Sequence, residues 1–336
     1  MRSALILTLS LACACVPSYS HLPPIEFEDL PYQSIAGQAW PARVVSLPGT
    51  AELHDMIEVP ELSYVELNPE GKQTIVFLHG LGSYLKFWRY QLDHFAGRGY
   101  RVIAIDMIGY GKSSKPASFP YTMEAMGDAV RELLKQLEIT KPILIGHSMG
   151  GQVSSSFAIR YPGEVAAVVL TAPAGFETFS SREKGWFKSV FSTELVKGTS
   201  EPGIWSAVKR NNFYRWLPEY EWLIEERVRL AGAKAFDQYA YAQVRSVQGL
   251  LETNFVRGNL EKITVPTLIV HGDQDRLIPN PFLHGGESRE LMLAASARIA
   301  KSKLTTLADC GHTLQIDCHE EYNREVEQWL GQVAAP

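Results

Sequence analysis

Long apolar runs are scarce in this chain of 336 residues. Beyond residue 20 no stretch of 18 uninterrupted apolar residues occurs, so no later segment reads as a membrane-spanning helix. Cysteine is scarce too: there are four, Cys13 and Cys15 near the start and Cys310 and Cys318 near the end. No lysine- or arginine-rich run stands out, and the formal charge is only −5, which argues against a nucleic-acid partner. Internal repeats and low-complexity tracts are absent. What remains is an ordinary globular composition, 46% apolar and 21% charged, with enough chain for one large domain plus an insertion, or for two domains.

The first 20 residues read as a secretory signal peptide. Arg2 supplies a positive charge, Ala4 to Val16 is apolar, and Ser18 and Ser20 place small residues around a cleavage site. The expected destination is the periplasm or the exterior. A cysteine after an apolar stretch is also the form of a lipid acceptor, so Cys13 or Cys15 could tether the chain to a membrane. Three places before Cys13, where the lipoprotein pattern has Leu, this chain has Ser10. Once exported, Cys310 and Cys318 could form a disulfide; the sequence reading favours two separate buried thiols.

Residues 21–60 are rich in proline and acidic residues, have no clear period, and read as an extended arm. From 61 to 174, buried-strand runs alternate with helical periodicity. Thr74 to Leu78, Arg101 to Asp106, Pro142 to Gly146 and Val165 to Thr171 are strand-like. Tyr121 to Leu137 repeats Met123, Met126, Val130, Leu133, Leu134 and Leu137 at helical spacing. This rhythm predicts an α/β fold with a mainly parallel, doubly wound sheet. It stops at Pro173. Residues 175–260 hold Trp186, Trp205, Trp216 and Trp222 and helical patterning without a buried strand, so they read as a helical lid inserted at the carboxyl edge of the sheet. The tryptophans are expected in the lid core or lining the substrate pocket. Residues 261–336 resume the alternation and complete the core.

Gly146-His147-Ser148-Met149-Gly150, after an apolar run and before a helix, has the form of a nucleophile elbow. A tight strand–turn–helix corner forces strained backbone at the serine and leaves no room for neighbouring Cβ atoms. A serine hydroxyl needs a base, and the base needs a partner that sets its tautomer. The partner candidate is Asp275, in the Gly turn after the strand at 266–270, with Asp273 as rival. The base candidate is His312, in Asp309-Cys310-Gly311-His312-Thr313 after the last strand. The backbone N–H of Met149 and that of Leu81, in His79-Gly80-Leu81-Gly82, are the expected oxyanion donors. His79 reads as a residue that stabilises the turn. Gly109-Tyr110-Gly111-Lys112-Ser113 is not a phosphate loop, because the position five before Gly111 is Asp106. Cys310, His312, Cys318 and His319 match no usual zinc spacing.

With these motifs in this order, the chain from about 60 to 333 resembles the lid-bearing, serine-esterase-like members of the α/β-hydrolase-fold superfamily. The resemblance rests on His79-Gly80, Asp106 to Ser114, the elbow, the Asp275 turn and the His312 loop. It implies a hydrolase working through Ser148, His312 and Asp275 on a small ester or related acyl substrate, with no metal or organic cofactor; the leader adds that it is exported. Amide, aminopeptidase-type and C–C bond hydrolysis run on the same trio and stay open. Relatives acting on haloalkanes or epoxides carry Asp at the nucleophile position, where this chain has Ser148. The contrasting class is an exported binding module that keeps the fold without catalysis.

Overall fold

The apolar runs become the interior of one twisted sheet. The computed structural model describes residues 17–333. Its strands are β1 (Arg43–Ser46), β2 (Glu61–Leu67), β3 (Thr74–Leu78), β4 (Arg101–Asp106), β5 (Ile143–His147), β6 (Ala167–Thr171), β7 (Thr267–Gly272) and β8 (Ser302–Leu307). The order across the sheet is β1-β2-β4-β3-β5-β6-β7-β8. The pairs β1–β2 and β2–β4 are antiparallel; every later pair is parallel. Parallel neighbours need crossovers, and the crossovers cover both faces with helix, so Ile75 to Leu78 and Leu144 to Ile145 are buried on both sides.

Outside the lid, the helices before it are α1 (Pro48–Leu53), α2 (Arg89–Gly97), α3 (Met123–Gln136) and α4 (Met149–Arg160), followed after the lid by those named below. α3 begins where the Thr122 hydroxyl accepts from the Ala125 N–H and caps the first turn. Its apolar stripe, Met126, Val130 and Leu133, is buried, as its spacing predicts. Between β6 and β7 the chain is helical throughout: α5 (Ser181–Val190), α6 (Thr193–Lys197), α7 (Glu201–Asn212), α8 (Trp222–Leu230), α9 (Phe236–Glu252) and α10 (Phe255–Gly258). α11 (Ser288–Ser296), α12 (Leu314–Asp317) and α13 (His319–Val333) return to the core. Among the described residues, no helix is long and apolar enough to cross a membrane. The apolar leader with Cys13 and Cys15 lies outside the described residues.

Three expectations change in detail. The arm at 21–60 contains β1 and α1, and its Phe27, Leu30, Tyr32 and Trp40 are buried in the core. No period announces them because each plugs a gap singly. Cys310 and Cys318 are joined in a disulfide rather than left as separate thiols; Cys310 starts the loop after β8 and Cys318 ends α12, so folding brings their Cα atoms to 6.0 Å. Of the two places expected for the lid tryptophans, the core holds for Trp205, Trp216 and Trp222, which pack against it, and none lines the catalytic cavity. Trp205 and Trp216 pack edge-on, ring centres 5.8 Å apart, and Trp186 is 46% exposed.

Candidate active site

Every predicted site residue lies at the carboxyl edge of the sheet. Ser148 follows β5 directly and begins α4 with φ +52° and ψ −113°. That left-handed backbone is costly for a residue with a Cβ, and the surroundings hold it in place. The Ser148 N–H donates to Thr171 O at 2.9 Å, and its carbonyl accepts from Gln152 and Ala174. The flanking glycines are required by space. A Cβ at Gly146 would come within 2.2 Å of Gly150 O, and one at Gly150 within 2.2 Å of Leu78 O.

Asp275 and His312 are 37 residues apart in sequence and meet here, Nδ1–H to Oδ2, at 2.8 Å. The Asp275 side chain has no exposure and that of His312 only 4%. The other Asp275 oxygen accepts from the N–H groups of Leu277 at 2.8 Å and Ile278 at 3.1 Å. The carboxylate is therefore held by contacts independent of the imidazole. Asp273, the rival, is exposed, and its backbone N–H joins Leu307 O instead. The His312 loop is tied down on both flanks. Gly311 N–H donates to Asp317 at 2.7 Å and Thr313 N–H to Asn212 O at 2.9 Å, while the disulfide closes the segment.

The His312 ring centre lies 4.9 Å from that of His147, the residue before Ser148. His147 was not anticipated as part of the site. Its Nε2–H donates to the His312 carbonyl at 3.0 Å, and its Nδ1 has no partner. Burial, reinforced by the neighbouring His312, holds its pKa well below the usual histidine range. His147 is thus a neutral spacer that fixes the His312 backbone. Ser148 Oγ makes no hydrogen bond among the described residues.

Leu81 and Ser148 line one cavity of about 180 Å³, with Phe179, Phe187, Leu250 and Ile278 among the other walls. Neither the Leu81 nor the Met149 N–H is engaged by another group among the described residues. Among the described residues, Glu177 is the one carboxylate on the cavity wall; it accepts from Asn280 N–H and from His284, and burial pushes its pKa up. Phe179, Phe187 and Glu177 escaped the sequence reading because lid side chains carry no motif.

His79 occupies the turn, as its sequence position implies. It is fully enclosed; Nδ1–H donates to Gly80 O at 2.8 Å, and Nε2 accepts from Met107 N–H at 3.0 Å. Each nitrogen has one role, so only the neutral ring fits. Burial lowers its pKa to about 4. In the unfolded chain the ring titrates near the usual value of about 6.5. The stabilisation is therefore complete above that pH and is lost as pH falls toward 4. The melting temperature is expected to drop between pH 6.5 and 4.5, and to drop less in His79→Gln. Equal slopes in calorimetric scans of the two proteins would refute this assignment.

Asp106, from the turn motif, is structural. Its carboxylate accepts from Leu85 N–H and Lys112 N–H, both at 2.9 Å, and from the Tyr32 hydroxyl at 2.5 Å. It joins the loop after β3, the loop after β4 and the N-terminal arm, and so holds the Leu81 turn in place.

Comparison with known proteins agrees with this architecture. A family model described as the alpha/beta hydrolase fold matches residues 73–317. The AB hydrolase superfamily protein YisY of Bacillus subtilis is 28% identical over 263 residues, covering 76% of this chain and 91% of that protein. Human protein ABHD8 is 27% identical over 260 residues, and the match spans about half of it, 55%. Among solved structures, a Pseudomonas aeruginosa protein described as a probable hydrolytic enzyme superposes with a TM-score of 0.79 at 24% identity, over 92% of this chain and 98% of that one.

Proposed function

The chain belongs to the alpha/beta hydrolase fold family, and on that premise we propose that it is an exported serine hydrolase of carboxylic esters. One observation carries the reading: the oriented Asp275–His312 pair, 2.8 Å across, beside the strained Ser148 corner. Asp275 accepts the Nδ1–H of His312, which leaves Nε2 as the lone-pair nitrogen. Neutral Nε2 takes the Ser148 proton as Oγ attacks the acyl carbon. The cationic imidazole, stabilised by Asp275, then protonates the leaving alkoxide. The free N–H groups of Leu81 and Met149 serve the developing oxyanion, a contribution of roughly 3 kcal/mol for each well-aimed donor. Water repeats the sequence on the acyl-enzyme and releases the acid.

An ester is favoured over an amide because an alkoxide is the better leaving group, whereas an amide nitrogen departs only once His312 has protonated it. The cavity of about 180 Å³ suits acyl groups of modest length, and its phenylalanine and leucine walls favour apolar ones. Export, with or without a lipid on Cys13 or Cys15, is part of this proposal and rests on the leader's composition.

A fluorophosphonate should label Ser148 stoichiometrically, and p-nitrophenyl esters of graded chain length should turn over fastest among the short ones. Absence of any Ser148 adduct, found by peptide mass spectrometry, would favour the non-catalytic binding module. Anilides cleaved as fast as esters would move the reading to amide hydrolysis.

A further inference from the structure

Helices α5 and α6 contain Trp186, Phe187, Val190, Leu195 and Val196, yet neither has a single buried residue. Both rest on α9. Trp186 and Val190, one turn apart on α5, are 46% and 44% exposed, and Leu195 on α6 is 47% exposed. Residues four apart share a helix face, so Arg182, Trp186 and Val190 form one outward stripe. Isolated exposed apolar residues are ordinary, but a ten-residue helix with nothing buried needs another explanation.

Charge narrows the choice of what covers this face. Residues 180–215 carry seven lysines and arginines against three glutamates, in a chain whose net charge is −5. Arg182, Lys188, Lys197, Lys209, Arg210 and Arg215 are exposed. All three acids are already engaged, Glu183 by the Ser180 cap and His284, Glu194 by the Thr193 hydroxyl and Glu201 by residues 18–20; of the cations, Lys197 pairs with Asp237. Residues 180–215 are thus a cationic, aromatic-bearing stretch on an acidic protein.

The path of the chain is the second observation. Ser18 Oγ, Tyr19 N–H and Ser20 N–H all donate to Glu201, in the first turn of α7, at 3.0, 2.7 and 3.1 Å. Tyr19 also donates to Glu221 and stacks on Trp205. The residues just after the apolar leader are therefore clamped to the lid. Only four residue steps separate Lys197 from Glu201, so this clamp lies within ~14 Å of the end of α6. Beside it opens a groove of about 1080 Å³ with Trp205 and Trp216 in its wall and Lys209 and Arg210 at its edge.

We propose that the outer face of α5, α6 and α7 docks on a lipid bilayer bearing anionic headgroups. Trp186, Val190 and Leu195 enter the headgroup–acyl boundary, and the lysines and arginines meet phosphates. The inner side of the same helix α5 contributes Phe187 to the catalytic cavity, so docking sets that cavity at the membrane surface. This goes beyond the ester reading and stands or falls without it, because its readout is binding.

The test uses the full-length chain with vesicles of phosphatidylcholine alone or mixed with phosphatidylglycerol. Wild type is expected to partition onto the mixed vesicles, less so onto the neutral ones, and less as salt rises. The triple variant Trp186→Ser, Val190→Ser, Leu195→Ser is expected to bind about tenfold less tightly while the N-terminus is unchanged, with a thermal melting curve reporting its fold. Brominated acyl chains should quench part of the wild-type emission, and that part should vanish in Trp186→Phe, which needs no disruption of the lid. Equal binding of wild type and triple variant, or equal quenching of wild type and Trp186→Phe, would overturn the proposal. So would a stable dimer in solution that the triple variant dissolves without any vesicle binding, since a second copy would then cover the face.

Discussion

Replacing Ser148 with alanine is expected to lower ester turnover by about 10⁶-fold while leaving the protein folded. The loss is large because every later step depends on the acyl-enzyme. The two free N–H groups and the cavity remain, so a residue of about 10³-fold over water is the expected floor. The fold survives for a structural reason. Ser148 Oγ makes no hydrogen bond among the described residues, so the substitution orphans nothing. Alanine keeps the Cβ, and the strained φ of +52° is imposed by contacts of Gly146, Gly150, Thr171 and Gln152 that do not change. Steady-state rates with a p-nitrophenyl ester, beside a melting curve, check both halves. Substantial turnover in a folded Ser148→Ala protein would dismiss the serine mechanism.

Asp275→Asn is the second large effect, with an expected loss of about 10⁴-fold in kcat. The Asn oxygen can keep the N–H groups of Leu277 and Ile278, which now bond Oδ1. That choice turns the amide NH2 toward His312 Nδ1. Two donors cannot face each other, so the ring shifts its proton to Nε2, the atom that must accept from Ser148. The geometry is preserved and the chemistry is reversed. Asp273→Asn is the control: its side chain is exposed and its rate should stay near wild type. Near-normal activity in Asp275→Asn would transfer the partner role to another acid.

How much of this was legible beforehand follows from where the information sits. Thr74 to Leu78 reads as a buried strand because five consecutive apolar or β-branched residues suit a strand covered on both faces, and the structure makes it β3. Gly146 and Gly150 are legible because a main-chain oxygen 2.2 Å away leaves no alternative to glycine. Asp275 and His312 are legible through the local turns that follow β7 and β8. Trp186 resisted reading. Helical periodicity says that a tryptophan lies on one side of α5, but not whether that side meets α9, the cavity or the outside. The disulfide was open for the same reason: eight residues of separation permit pairing, and only the path through α12 brings Cys310 and Cys318 together.

By itself the sequence determined the alternation of strand and helix, the corner at Ser148 and the turns that present Asp275 and His312, because each depends on steric rules acting over a few neighbouring residues. Tertiary structure decided what the distances between segments decide: the neutral His147 against the His312 carbonyl, Phe179 and Phe187 as cavity walls, the clamp of Ser18 to Ser20 on Glu201, and the outward side of α5. Those contacts join residues dozens to nearly two hundred positions apart, and packing between whole layers, rather than any local propensity, selects which of them meet.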